Sequence, residues 1–291
     1  MKTRRLFLVG IFIFLLLSIG NLLYFNNLSI EYSKISPVLI VKSIEERNKN
    51  EIFENWMKQK FFNSTLTLLE KEKLLKTFEE CLNFIQEKAR LQHLLFYGSL
   101  LGWFRHNHSM IPWDDDLDLA VFIPVEDNSY NDTDYKNIGK SALNRTIEII
   151  ENVTNSSSSS KLNFYYQRNF VKCYLNDSTI SQPILDWRWP FIDIFPFGYL
   201  KDRNTAKIYD MEDEIYYNYQ WIFPFQKSIF EGINVNIPQS PYQVLEANFN
   251  IETCTSSDWN HRLEVSSFRD NGQLLTPCRN LKSLYNFTNI D

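Results

Sequence analysis

The chain has 291 residues, 44% hydrophobic and 15% aromatic, a composition that supports a sizeable packed core and excludes wholesale disorder. Its formal net charge of −5, with 22% charged residues and no long basic run, excludes the electrostatic footprint of a nucleic-acid-binding protein. What remains is one large domain or two small ones, with small substrates left open.

Lys2, Arg4 and Arg5 precede LFLVGIFIFLLLSIGNLLYF, residues 6–25, a run broken only by Ser18 and Asn21. At about 1.5 Å per residue such a helix spans a hydrocarbon core of about 30 Å. The run is expected to be a signal anchor, with residues 1–5 as a cytoplasmic tail and the remainder in the lumen. A cleaved signal peptide is the rival, because Ser18 and Gly20 form a small-x-small pair, although the apolar stretch continues past them to Phe25. Both readings translocate the bulk of the chain.

Asn27, Asn63, Asn107, Asn131, Asn144, Asn152, Asn155, Asn176 and Asn286 each open an Asn-x-Ser/Thr acceptor sequence. Chance would generate about four in a chain of this composition, so nine favour a glycosylated, lumenal protein. Four cysteines are an even number for an oxidising compartment. Cys254 and Cys278 flank a polar C-terminal stretch and are the best candidates for one disulfide. Cys81 falls on an apolar helical face and reads as a buried thiol.

Residues 26–66 carry no sustained pattern and read as a stem, leaving 67–291 as one lumenal domain. From Leu68 to Leu91 the apolar positions Leu74, Phe78, Leu82, Ile85 and Ala89 recur at three and four, predicting an amphipathic helix. HLLFYG predicts a short strand ending at Gly98, and SLLGWFRH a short helix capped by Ser99. After a turn at IPW, DLDLAVFIP predicts a strand. Residues 126–134 read as a polar loop, 135–153 as a helix and 155–160 as a linker. LNFYYQRNFVKCYL reads as strand material with a turn, and PFIDIFPF as a short strand closed by Pro196. No internal repeat is present. The alternation of elements predicts an α/β fold.

The cluster PWDDDLDLAVF concentrates the chemistry. A period of two puts Asp116 and Asp118 on one face of the strand and Leu117 and Leu119 on the other. Neighbouring same-face carboxylates suit a hard divalent cation, which takes oxygen ligands together with substrate phosphates. A solvated acidic turn is the alternative, weakened by the apolar strand that draws these charges towards the core. Asp193 is the one carboxylate in FIDIF, where a ligand role competes with a salt bridge to Arg188. In YGSLLG, Gly98 and Ser99 at a strand-to-helix junction leave backbone N–H groups free for a phosphate. His106 and His108 lack further ligands at zinc spacing.

YGSLLGWFRHNHSMIPWDDDLDLAVF resembles the signature of the LicD family, which includes fukutin and fukutin-related protein. WPFIDIFPFGYL and WIFPFQKSIFEGINVNIPQSPYQVLEANF are similar to its downstream segments, so the resemblance runs in order from about Leu74 to Phe249. It implies a nucleotidyltransferase-like mixed sheet flanked by helices, here behind a single N-terminal transmembrane helix. It further implies transfer of a phospho-alcohol, such as phosphoribitol or phosphocholine, from a CDP-activated donor to a hydroxyl of a glycan or glycoprotein. Asp116, Asp118 and Asp193 would hold Mg²⁺ or Mn²⁺, with Asp193 also a candidate base. Asp114 would support the site, and Gly98 and Ser99 would contact donor phosphate. Arg105 would neutralise phosphate charge or pair with the aspartates. A cysteine-bearing zinc insertion known in one member has no counterpart here. The anchor resembles those of Golgi members, with the endoplasmic reticulum as the alternative address. Two other functions fit a D-x-D protein of this kind: a lumenal sugar transferase, and an inactive binding protein, which has little use for three desolvated carboxylates.

Overall fold

The computed structural model describes residues 61–125, 135–156, 161–179, 185–200, 207–257, 259–266 and 274–290. The predicted anchor, nearly all of the stem, the 126–134 loop and most of the 155–160 linker lie outside these residues. No described helix is long and apolar enough to cross a membrane.

Helix α1 (Leu68–Asn83) begins at a capping box: the Thr67 hydroxyl accepts from the Glu70 N–H, and Glu70 accepts from the Thr67 N–H. Its apolar stripe, Leu74, Phe78, Cys81 and Leu82, is buried, and a single π-helical turn (Phe84–Lys88) ends it. Strand β1 (Gln92–Leu95) leads into helix α2 (Tyr97–Arg105), and β2 (Leu117–Val125) follows the aspartate cluster. Helix α3 (Tyr135–Asn155) then precedes β3 (Leu162–Tyr166), β4 (Val171–Thr179) and β5 (Trp189–Leu200). Strands β6 (Lys207–Asp210) and β7 (Ile215–Asn218) complete the sheet.

The sheet is mixed and seven-stranded, in the order β1-β2-β5-β4-β3, with β6 pairing the far part of β5 and β7 pairing β6. Its central pair, β2 and β5, is parallel; β1, β4 and β6 add antiparallel neighbours. The near-continuous burial of β2 and β5 is that of a sheet covered on both faces. The expected α/β class, a mixed sheet flanked by helices, is therefore what the chain adopts.

Four details differ from the sequence reading. Strand β1 ends at Leu95, and Gly98, expected to end it, lies in the first turn of α2. Pro196 does not close β5, which runs twelve residues to Leu200. It falls where β5 changes partner, after β4 pairs at Ile194 and before β6 pairs at Gly198, so no antiparallel ladder there requires its missing N–H. Cys81 is not a free thiol. It bonds to Cys173, joining α1 to β4, while Cys254 pairs with Cys278 as expected. Ser99 does not cap α2, whose N-cap is Phe96; the serine lies two residues into the helix, where its oxygen has another partner.

Beyond β7 a short helix α4 (Tyr219–Ile222), the hairpin β8 (Gln226–Phe230) with β9 (Ile233–Ile237), and helix α5 (Pro241–Asn248) follow. The β8–β9 turn places Glu231 and Gly232 at positive φ, the conformation a two-residue hairpin turn requires. The C-terminal segment contributes β10 (Thr253–Thr255), a small hairpin of β11 (Trp259–Asn260) and β12 (Val265–Ser266), and β13 (Leu275–Pro277).

Candidate metal centre

Register builds the centre. In the parallel β2–β5 pair Asp118 stands opposite Asp193, and in the antiparallel β4–β5 pair Lys172 stands opposite Asp193. One row across three strands therefore reads Asp118, Asp193, Lys172. Asp116, two residues before Asp118, adds a third carboxylate. One oxygen from each of Asp116, Asp118 and Asp193 lies within 4.8 Å of the others, the separation that a shared cation bridges. Lys172 Nζ donates to both Asp193 oxygens, at 3.0 and 3.1 Å. The ammonium also lies 3.4 Å from the Phe191 ring centroid, with Phe170 and Trp187 farther out.

The N-terminus of α2 closes one side. The first N–H groups of a helix lack intrahelical acceptors and carry the positive end of its dipole. A Cβ on Gly98 would stand 3.1 Å from Asp114 Oδ2 and 3.3 Å from Asp118 Oδ2, so only glycine leaves this gap between helix and carboxylates open. The Ser99 hydroxyl accepts from the Asp118 N–H at 2.7 Å, fixing the strand's entry to the helix. Tyr97, at φ 41°, anchors the first turn by donating from its hydroxyl to the buried Asp210 on β6.

The C-terminal segment closes another side. Asp115 accepts from the backbone N–H groups of His261 and Arg262, each at 3.2 Å, and its Oδ1 lies 3.0 Å from His261 Nδ1. The other ring nitrogen, Nε2, lies 3.3 Å from Asp116 Oδ2. Asp115 thus holds the β11–β12 turn against the metal centre. Beside Asp114 opens a cavity of about 310 Å³, lined by Ser64, Lys71, Ser109 and Tyr285 among others.

The electrostatics are those of an anionic cage. Burial, reinforced by the Asp116 charge, pushes the carboxyls of Asp114 and Asp118 well above the usual carboxylate range. Burial raises Asp193 to about 6, against the opposing pull of Lys172. Burial works against a charge on His261, yet Asp116, Asp115 and Asp114 together carry it up to about 10. Five clustered carboxylates, Asp114, Asp115, Asp116, Asp118 and Asp193, thus touch two cations, Lys172 and His261, among the described residues. The all-oxygen donor set, its excess negative charge and the gap at Gly98 fit a hard divalent ion with a phosphate beside it.

Residues 90–240, just over half of the chain, match the LicD/FKTN/FKRP nucleotidyltransferase domain. The chain belongs to the LicD family. No curated protein matches it. Family membership points to phospho-transfer in glycan modification, by a transferase of the LicD/fukutin kind.

Within this LicD domain the structure brings together Asp116, Asp118, Asp193, Asp114, Gly98 and Ser99. Arg105 feels the charge of Asp114, but its hydrogen bonds go elsewhere. It is 2% exposed, and its guanidinium donates to the carbonyls of Thr253 (3.2 Å) and Ile251 (3.5 Å) and to His106 Nε2 (3.3 Å). It holds the start of the C-terminal segment against α2. Arg188 donates to the Asn176 carbonyl, and the partner of Asp193 is Lys172 instead. Asp115, Lys172 and His261 are the three site residues the sequence reading did not single out. A lysine alternating with Val171 and Cys173 in strand material was a usable signal. His261, 146 residues from Asp115 in a polar stretch outside the matched domain, carried none.

Proposed function

We propose that this chain transfers a phospho-alcohol from a CDP-activated donor to a hydroxyl of a glycan, with CMP leaving. The observation that carries the reading is the Asp116, Asp118 and Asp193 triad abutting the N-terminus of α2 across the Gly98 gap. A divalent ion bound there would neutralise charge on the donor's diphosphate. The N–H groups at the start of α2 would orient phosphate oxygens. Asp193, held by Lys172, would take the acceptor's proton as its oxygen bonds to the phosphorus, while the bond from that phosphorus to the bridging oxygen breaks and the electron pair leaves with CMP. The cavity beside Asp114, at the lower end of the ligand-pocket range of about 300–1,000 Å³, would receive part of the acceptor.

A lumenal, Golgi-type, membrane-anchored setting belongs to the same proposal. It is supported by the two disulfides, by the apolar run at 6–25, and by the exposure of all seven acceptor asparagines that are described: Asn63, Asn107, Asn144, Asn152, Asn155, Asn176 and Asn286.

The test is a thermal-melt scan of the full-length chain with Mn²⁺ or Mg²⁺ plus CDP-ribitol, CDP-glycerol, CDP-choline, UDP-sugars or GDP-sugars. Saturation at about 100 times Kd adds about 2.7 kcal/mol, a shift of several degrees. A metal-dependent shift with one CDP-alcohol, followed by turnover of that donor, supports the proposal. A shift with UDP- or GDP-sugars alone would replace it with sugar transfer.

A further inference from the structure

We propose that His261 is a donor-phosphate-binding residue of this site, its Nε2 facing the position of a phosphate oxygen beside Asp116 and its Nδ1 held at Asp115. The proposal rests on the transferase reading above and goes beyond it, since His261 lies outside the matched domain. Of the two cations touching the carboxylates, Lys172 is shut in: its side chain is 5% exposed and faces Asp193 beneath Phe191. The His261 side chain is 27% exposed and meets Phe191 edge-to-face, at 6.3 Å between centroids. A diphosphate arriving from solvent at Asp116 and Asp118 therefore meets the imidazole and not the ammonium.

The two ring nitrogens have unequal partners. Nδ1 shares Asp115 with two backbone N–H groups, an arrangement that fixes the ring through the turn carrying it. Among the described residues the polar contact of Nε2 is to Asp116, the longer of the two, to an oxygen that a metal ion would claim. With Asp116 turned to a metal, a phosphate oxygen on the same ion becomes the natural acceptor for Nε2–H.

The turn is also braced by contacts to elements outside the hairpin. Arg262 pairs with Glu70 in the α1 capping box. Glu264 accepts from two indoles, Trp187 at 3.0 Å and Trp259 at 3.1 Å, tying the hairpin to the segment leading into β5. Cys254–Cys278 closes the loop that contains it. Bracing of this kind lowers the reorganisation needed when charge must be met at a fixed point.

The experiment is calorimetry on the full-length chain, reading Mn²⁺ alone and then CDP in saturating Mn²⁺, for the wild type, His261→Ala, His261→Gln and Asp118→Asn. In His261→Ala, CDP affinity should fall about tenfold or more, while Mn²⁺ affinity is unchanged or tighter because a competing cation beside Asp116 is gone. His261→Gln, which keeps an N–H donor, should recover part of the loss. CDP binding to His261→Ala at wild-type strength would overturn the proposal, and so would parallel losses of Mn²⁺ and CDP affinity with a lowered Tm, the signature of a merely structural role. Wild-type protein that takes up no CDP with Mn²⁺, or Asp118→Asn that binds it unchanged, would overturn the transferase reading as well.

Discussion

Asp118 and Asp193 face each other in register on the two parallel central strands, with Asp116 within 4.8 Å of both. Without a metal ion this arrangement costs stability, since burial and the charges of Asp116, Asp193 and Asp114 oppose ionisation of Asp118 against the smaller pull of His261. Asp118→Asn should therefore abolish transfer yet stabilise the metal-free chain. Relief of about 1 kcal/mol would raise Tm by about 2–4 °C at this size. Melts in chelator, paired with turnover in Mn²⁺, check both halves. Near-normal turnover by the variant would remove Asp118 from the site.

Lys172 supplies the only cation in hydrogen-bond contact with Asp193 among the described residues. Replacing it with Met leaves a buried carboxylate unpaired, and such losses run to about 3–5 kcal/mol. The double variant Lys172→Met/Asp193→Asn removes the orphaned charge and should regain much of the stability. A double-mutant cycle in urea measures the coupling. Simple additivity of the two single variants would show that the pair is not energetically linked.

The metal-free chain should lose stability as pH rises. Asp193 and Asp210, each raised to about 6 first of all by burial, bind protons in the folded state that the unfolded chain has already released. Their contribution is present below the ordinary carboxylate pKa of about 4 and is lost as pH climbs to about 6. His261, raised to about 10, adds stability that is full below about 6.5 and is lost towards 10. Urea midpoints in chelator should therefore decline from mildly acidic to alkaline pH. Metal binding favours the ionised carboxylates, so saturating Mn²⁺ should flatten or invert the acidic part of that profile.

The central strands and their carboxylates were legible because their evidence is local. Period-two alternation in DLDLAVF and a lone aspartate in FIDIF are patterns that backbone geometry dictates at short range. What escaped depends on contacts between distant segments. Ser99 is a good capping residue, but its oxygen is taken by the Asp118 N–H, which arrives from the next strand. Cys81 on an apolar stripe looks the same whether it packs as a thiol or meets Cys173 across the α1–β4 contact. Arg105, beside the site in sequence, turns to carbonyls that arrive from residues 251–253.

Gly98→Ala tests the gap between helix and carboxylates. The new Cβ would meet Asp114 and Asp118 oxygens at 3.1 and 3.3 Å, tighter than ordinary van der Waals contact, so both carboxylates must move by a few tenths of an ångström. The backbone of α2 is unaffected, and alanine is the better helix former. Stability should change little, while turnover falls by about tenfold or more from displaced ligands. Equal activity in Gly98→Ala would show that the gap is not used.

The two disulfides should separate stability from activity. Cys81–Cys173 closes 92 residues and Cys254–Cys278 closes 24, which in the chain-entropy account gives about 4.6 and about 3.5 kcal/mol. Cys81→Ser/Cys173→Ser should accordingly be the less stable protein. Cys254→Ser/Cys278→Ser frees the loop that carries His261 to Asp115 and Asp116, so it should lose more donor affinity for each degree of Tm lost. The comparison is made by plotting CDP affinity in Mn²⁺ against Tm for both double variants. If the two fall on one line, the C-terminal disulfide does nothing for the site beyond general stability, and the bracing of the β11–β12 turn has no part in binding.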